Sequence, residues 1–409
     1  MTSNSSESGQ TMMLARQPIF DRKTTIVAYE LLFRNLSTDS ADVIDGDSAT
    51  SQVLLDAFTH LNINDVIGNK KAYINFTRNL IGQPLPFDKS RLVIEVLEDI
   101  VFDDEFVQTI TDLSAAGYTI ALDDFVLVEG AERILPLVDI VKLDVLLLNQ
   151  EELVDHVNKL KPYNLTLLAE KVETHEVYEF CKDLGFELFQ GYFLSKPQLI
   201  SAKKVPPGKM VVLQLISKLQ NPDCEIEELE QLISLDPVLG FKVLQLVNSA
   251  MYSSVSKIDS LSRAITYLGL NQIRSLTTLL ALSSLSDKPN ALKISTMVRA
   301  KMCELVGTQI GRQHTTTFFS LGLLSTLDAY FDQPLESLLN GFSLNEELTA
   351  ALLSFTGTSG QVLQAVIALE QARWDDIDWT FLATHKISPE FFNEAYQTSI
   401  IWQASSALD

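Results

Sequence analysis

Between residues 14 and 190, short runs rich in Val, Ile, Leu and aromatic residues alternate with amphipathic stretches. Apolar runs of this length bounded by turn residues read as β-strands, and apolar positions at helical spacing between them read as α-helices. Strands are expected at 14–20, 26–33, 71–76, 91–97, 118–123, 138–143, 165–171 and 186–190. Helices are expected at 49–61, 103–116, 129–135, 150–160 and 173–184. Repeated strand–helix units predict a mostly parallel sheet, and so many of them in one stretch predict an α/β TIM-like barrel or a doubly wound sheet. Only Asp21-Arg22-Lys23-Thr24 separates the first two strands, so they should form an antiparallel hairpin at the start of the barrel.

Beyond Lys196-Pro197 the strand pattern stops. Apolar helical faces recur at 209–219, 225–235, 237–248, 261–268, 272–285, 291–310, 315–327, 345–353 and 360–372, punctuated by Asp236-Pro237 and Gly269-Leu270-Asn271. Lys203-Lys204-Val205-Pro206-Pro207-Gly208 reads as a rigid, non-helical junction. The expected organisation is a disordered tail at 1–12, a barrel at 13–200, a linker at 201–208 and an all-helical domain at 209–409.

Composition narrows the function classes. A chain of 409 residues, 46% hydrophobic, is globular and too long for one ordinary domain. A net charge of −22 argues against a nucleic-acid polymer as partner, because neutralising a phosphate backbone needs a basic surface. Cys181, Cys224 and Cys303 are far apart and odd in number, which suits a reducing compartment, and no Cys/His spacing suggests zinc. The Ser-, Asn- and Thr-rich residues 1–11 lack the apolar core of a secretory signal. The most apolar run of the second half, 276–285, is interrupted by Thr and Ser and falls well short of the ~20 residues that span a bilayer. The expectation is a soluble, cytoplasmic protein with no membrane partner.

Candidate chemistry lies at the strand ends. Glu30 and Arg34 stand near the end of the second run, Asn75 in the third, and Glu95 and Glu98 in the fourth. Asp123-Asp124 follow the fifth, Lys142 lies in the sixth, Glu170 and Glu173 end the seventh, and Gln190 ends the eighth. In a barrel the C-terminal strand ends converge on one mouth, so residues remote in sequence become one site. Taken alone, Asp123-Asp124 reads first as the cap of a following helix and only second as a metal site. Seven successive strands ending in Glu, Asn, Asp, Lys or Gln point instead to a metal site. Carboxylate and amide oxygens without His or Cys are hard ligands that suit Mg²⁺ or Mn²⁺. Two adjacent aspartates suit a pair of cations acting on a phosphodiester. Lys142 then sits near the attacking water, or else forms a structural ion pair, while Glu170 is a metal ligand or proton acceptor.

The stretch from Arg16 to Pro197 resembles the EAL domain, the bacterial cyclic di-GMP phosphodiesterase fold. Gln17-Pro18-Ile19, Glu30-Leu31-Leu32 with Arg34, Ile74-Asn75-Phe76, the Glu95 to Glu98 segment, Leu122-Asp123-Asp124-Phe125, Val141-Lys142-Leu143-Asp144, Ala169-Glu170-Lys171-Val172-Glu173-Thr174 and Gln190-Gly191-Tyr192-Phe193 carry the likeness in order. The resemblance implies that Glu30, Asn75, Glu95 and Asp123 hold one metal and that Asp123, Asp124 and Glu170 serve a second. It places Lys142 on the hydrolytic water and Arg34 on a substrate phosphate, with Glu98, Glu173 and Gln190 supporting the loops and pocket. The implied reaction opens one phosphodiester of cyclic di-GMP to give pGpG, in bacterial control of motility and biofilm, and pairing of two copies through the barrel is implied as well.

Two departures bear on turnover. The Gly- and hydroxyl-rich loop that usually follows the paired aspartates is replaced by Phe125-Val126-Leu127-Val128-Glu129-Gly130, and β-branched residues are poor at positive φ. Lys171 stands where the family motif has glycine. The readings carried forward are a phosphodiesterase, slow if the loop matters, and a nucleotide receptor or protein-interaction adaptor. The helical half resembles the HDOD domain, a relative of the HD phosphohydrolases without their metal site, through Leu232-Ile233-Ser234-Leu235-Asp236-Pro237-Val238-Leu239, Leu246-Val247-Asn248-Ser249-Ala250 and Ala264-Ile265-Thr266-Tyr267-Leu268-Gly269. It has Gly322-Leu323-Leu324-Ser325-Thr326 where active relatives place a His-Asp pair, and the five histidines of the chain form no pair, so a regulatory role or a protein partner is expected there.

Overall fold

The computed structural model describes residues 12–35, 63–81, 88–97, 100–126, 130–193, 207–221, 223, 225–234, 237–248, 258, 260–285, 288–311, 315–340, 344 and 346–405. Eight strands close into a barrel in sequence order. They are β1 (Met12–Asp21), β2 (Ile26–Asn35), β3 (Lys71–Phe76), β4 (Leu92–Val96), β5 (Thr119–Leu122), β6 (Ile140–Asp144), β7 (Thr166–Glu170) and β8 (Leu188–Gln190). Strand β1 runs antiparallel to both β2 and β8, and every other pair from β2 to β8 is parallel. The hairpin expected from Asp21-Arg22-Lys23-Thr24 is present, closed by Thr24 N–H donating to the Asp21 carbonyl at 2.9 Å.

Strand alternation sorts side chains between two surfaces. Ile19, Ala28, Tyr73, Val93, Ala121, Ile140 and Leu168 form one small buried cluster inside the barrel. Their neighbours, such as Ile74, Ile94, Ile120, Val141 and Ala169, belong to the larger core shared with the surrounding helices. Those helices are terminated by local chemistry. Asp103 caps Asp104–Ala116 by accepting from Phe106 N–H, and Gly117 ends it at φ 83°. Asn149 and Glu152 form a capping box on Gln150–Leu160. The helix expected at 129–135 is instead two 3₁₀ turns, Ala131–Arg133 and Leu135–Leu137, because Pro136 has no N–H to continue an α-helix. The helix expected at 49–61 lies outside the described residues, as do most of the tail and residues 201–206 of the linker.

The region after the barrel is helical throughout its described elements, from Pro207–Leu219 to Pro389–Ala404. The first of these helices begins inside the expected linker, with Pro207 at its opening position, where a missing N–H costs nothing. The helix expected at 315–327 is broken into Thr315–Leu324 and Leu327–Phe331. The helices Leu335–Leu339, Trp379–Thr384 and Pro389–Ala404 were not anticipated. The last was nonetheless signalled by Ser388-Pro389 and by buried Phe392, Ala395, Tyr396, Ser399 and Ile400 at helical spacing. Residues 346–370 are long and apolar enough to cross a membrane, but they form two helices, Glu346–Ser354 and Gly357–Glu370, and half of the stretch is buried in the fold.

The hairpin joins the two regions. β1 pairs with β2 along its length but with β8 only from Ile19 to Asp21, so its first half and the end of β2 project past the barrel mouth as a two-stranded arm. Met13, on this arm, is fully buried in the same apolar cluster as Val362, Val366 and Ile400. Asn393 Oδ1 accepts from Leu14 N–H at 2.9 Å, and Asp375 pairs with Arg34 at 2.7 Å.

Candidate active site

The inward positions just above the apolar plug of the barrel build the site. Two residues after each inward apolar residue, the same face of the next pleat carries a polar one. Ala28 is followed by Glu30, Tyr73 by Asn75, Val93 by Glu95, Ala121 by Asp123, Ile140 by Lys142, Leu168 by Glu170 and Leu188 by Gln190. Parallel register aligns them: Asn75 lies opposite Glu95, and Ala121, two residues before Asp123, lies opposite Ile140, two before Lys142. Strand β8 is seated by Gly191, at φ +143°, where an added Cβ would come within 2.2 Å of the Val172 carbonyl oxygen.

Lys142 is the centre of the cluster. Its fully buried ammonium lies 2.6 Å from Glu95 Oε1, 2.6 Å from Asp123 Oδ1, 3.0 Å from Glu170 Oε1 and 3.5 Å from Glu30 Oε2. Glu30 also accepts from Gln190 Nε2 at 2.6 Å and from Asn75 Nδ2 at 3.4 Å. Gln190 in turn donates to Gln17 Oε1 at 2.8 Å, and Gln17 donates to the Tyr192 hydroxyl at 3.0 Å. The place of Gln17 is hidden in the sequence because β1 is antiparallel and so meets the mouth mid-strand, and Tyr192, just after β8, reaches the site through Gln17.

The electrostatics follow from four carboxylates facing one ammonium. Burial works against the charge of Lys142, but Glu30, Glu95, Glu170 and Asp123 outweigh it and hold its pKa well above that of an ordinary lysine. Burial, reinforced by Glu30, pushes the Glu95 carboxyl well above the usual carboxylate range. Burial, with Asp123 and Glu30 opposing Lys142, carries Glu170 up to about 8. Asp124 is also raised, chiefly by partial burial.

The expected site residues therefore separate into groups. Glu30, Asn75, Glu95, Asp123, Lys142, Glu170 and Gln190 come together. Asp124 follows β5 at φ 40° and stands 3.8 Å from Lys171, which follows β7 at φ 53° and is ion-paired with the buried Asp144. Arg34 lies on the projecting arm and pairs with Asp375. Glu173 is half-buried in the turn before the helix His175–Leu184. Glu98 lies outside the described residues, as do 127–129 of the altered loop.

The donor set fits a hard divalent cation at the Lys142 carboxylates. Among the described residues Asn75 Oδ1, Glu95 Oε2 and Glu170 Oε2 are buried without a hydrogen-bond partner, and one ammonium leaves the four carboxylates undercompensated. No group of three His, Cys, Asp or Glu among the described residues is drawn together at metal-binding spacing, because the carboxylates close on Lys142 instead. At Asp123, Asp124 and Glu170 a second cation does not fit, since Asp123 and Glu170 are paired with Lys142 and the Lys171 ammonium, held by Asp144, stands 3.8 Å from Asp124.

A closed barrel with one antiparallel strand and a cluster of hard oxygen donors at its mouth, joined to a helical region, is a two-part architecture. The chain belongs to the EAL–HDOD family. The EAL domain model matches residues 47–197 and the HDOD domain model residues 205–331. The chain is 32% identical over 376 residues to the uncharacterized protein YuxH of Bacillus subtilis, covering 89% of this chain and 92% of that protein. It is also 32% identical over 375 residues to the cyclic di-GMP phosphodiesterase CdgJ of Vibrio cholerae, covering 90% and 87%. Among solved structures, a standalone EAL protein from Vibrio cholerae O395 in its c-di-GMP bound form is 27% identical, with a TM-score of 0.38, over 49% of this chain and 97% of that one.

Proposed function

We propose that the protein hydrolyses cyclic di-GMP to pGpG in a reaction that depends on Mg²⁺ or Mn²⁺. The observation that carries this reading is the convergence of Glu30, Glu95, Asp123 and Glu170 on Lys142, with Asn75 and Gln190 beside them. CdgJ, a cyclic di-GMP phosphodiesterase related over most of the chain, supports the substrate.

Glu30, Asn75, Glu95 and Asp123 would hold the cation. When bound, it supplies Lewis acidity at a phosphoryl oxygen and makes nearby water more acidic. Without added positive charge the cluster is net negative and repels an anionic substrate. In the reaction the oxygen of water bonds to phosphorus, the bond from phosphorus to a ribose oxygen breaks, and a proton from water must be accepted. Glu170, 3.0 Å from the Lys142 ammonium, is placed to take that proton and return it to the leaving ribose oxygen. Lys142 orients the water and offers positive charge to the phosphoryl oxygens. Gln190 and Asn75 fix the rotamer of Glu30.

Arg34 would contact a substrate phosphate once released from Asp375, so the helical region is read as a regulatory or protein-interaction module that reaches the site through the arm. The protein is read as cytoplasmic, acting in motility and biofilm control, with pairing of two barrels as a further expectation. The test incubates purified protein with cyclic di-GMP and Mg²⁺ or Mn²⁺, beside Glu30→Ala and a chelated sample. Metal-dependent pGpG from the wild type alone supports the enzyme. Tight binding without product makes it a receptor, and the absence of both product and binding removes the nucleotide from the account.

A further inference from the structure

Strands β5, β6 and β7 are neighbours in the barrel, and their ends carry Asp124, Asp144 and Lys171. Asp144 ends β6, is 5% exposed and accepts from Leu146 N–H with Oδ1 at 2.8 Å. Its other oxygen is ion-paired with Lys171, whose ammonium also stands 3.8 Å from Asp124 Oδ2. The side chain reaches this place because the backbone at Lys171 is left-handed, at φ 53°, so the residue leaves the strand and folds back over the end of β6. Left-handed backbone is uncommon for lysine and favours glycine, so the side chain sits there at a local conformational cost. An ammonium between two carboxylates does locally what a bound cation would do, and it repels a second one.

We infer that Lys171 is a built-in replacement for the second metal ion, so this chain takes one divalent cation, at the Glu30, Asn75, Glu95 and Asp123 end of the site. Lys171 is a positioning residue: it holds Asp124 and Asp144 in place and supplies a fixed single charge where a second divalent ion would polarise water more strongly. The inference rests on the phosphodiesterase reading, and its consequence for that reading is slow turnover. Asp124 Oδ1, buried and without a hydrogen-bond partner among the described residues, remains available to a proton-donating ligand such as water.

The test counts metal in the full-length protein. Chelator-treated wild type, Lys171→Gly and Lys171→Met are reloaded with Mn²⁺, freed of excess ion, and measured by elemental analysis and electron paramagnetic resonance. Glycine suits the left-handed backbone, and methionine keeps the bulk without the charge, so failure of one variant to fold leaves the other. The expected result is about one Mn²⁺ per chain with an uncoupled spectrum in the wild type, rising to about two with exchange coupling in the variants, as in two-metal sites. Two ions in the wild type, or one in both variants, overturns the role of Lys171 and leaves the phosphodiesterase reading standing. No ion in the wild type removes both.

Discussion

Replacing Lys142 with methionine removes the one ammonium that faces Glu30, Glu95, Asp123 and Glu170 while keeping the length and flexibility of the side chain. Deleting one partner of a buried ion pair costs about 3–5 kcal/mol, because the remaining charge is stranded away from water. For a domain of this size about 1 kcal/mol shifts the melting temperature by roughly 2–4 °C, so the loss in chelator should be about 6–20 °C. Two features make the expectation specific. The deficit should shrink in acid, since protonated carboxylates no longer need a counter-charge. It should also shrink on adding Mn²⁺, because the carboxylates freed of the competing ammonium bind the ion more tightly than in the wild type, and each tenfold gain in affinity is about 1.4 kcal/mol. Thermal unfolding followed by circular dichroism or calorimetry, with chelator and with Mn²⁺ across a pH series, measures all three effects. A variant that melts within about 2 °C of the wild type in chelator at pH 8 would refute the claim that Lys142 neutralises this cluster.

Two further outcomes follow from the same geometry. Glu170 has a folded-state pKa near 8, above the ordinary carboxylate value of 4.5, so the metal-free folded state binds an extra proton between those values. Its contribution to stability is present below pH 4.5 and is lost as pH rises to and through 8. Glu170→Gln should flatten that slope in chelator, and an unchanged slope assigns the pH dependence elsewhere. Asp375→Asn should free Arg34 from an exposed ion pair; we expect unchanged thermal stability and a lower KM for cyclic di-GMP at unchanged kcat, whereas an identical KM would separate Arg34 from substrate binding.

The strand-end residues were legible in the sequence because a barrel converts strand order into position. Once alternation was recognised, Glu30, Asn75, Glu95, Asp123, Lys142, Glu170 and Gln190 could be expected on one surface from their order alone. What alternation does not encode is the last ångström. Lys142 was expected beside a water or in an ion pair with a neighbouring carboxylate, and its long side chain finds four carboxylates within 3.5 Å. Lys171 was visible only as a departure from glycine, and its reach over Asp144 depends on a left-handed backbone that no local pattern announces. The surroundings of Arg34 were not legible for a third reason: the hairpin continues beyond the barrel, and only the packing of Met13 into the helical core shows where that arm goes.

The charge pattern also bears on what the site is for. Glu30, Glu95, Asp123, Asp124, Asp144 and Glu170 face Lys142 and Lys171, so six carboxylates share two ammonium groups. Keeping buried acids close together opposes folding, as the elevated pKa values of Glu95 and Glu170 record. A pocket that only bound an anionic nucleotide would be served better by neutral or basic side chains, since each carboxylate repels the ligand and weakens the fold. The arrangement becomes favourable when a divalent cation joins it, because the same carboxylates then become ligands and their mutual repulsion is offset. Acidity held at this cost is what the proposed hydrolysis needs and simple reception does not, and Lys171, by filling one cation position with a single charge, would slow that proposed reaction.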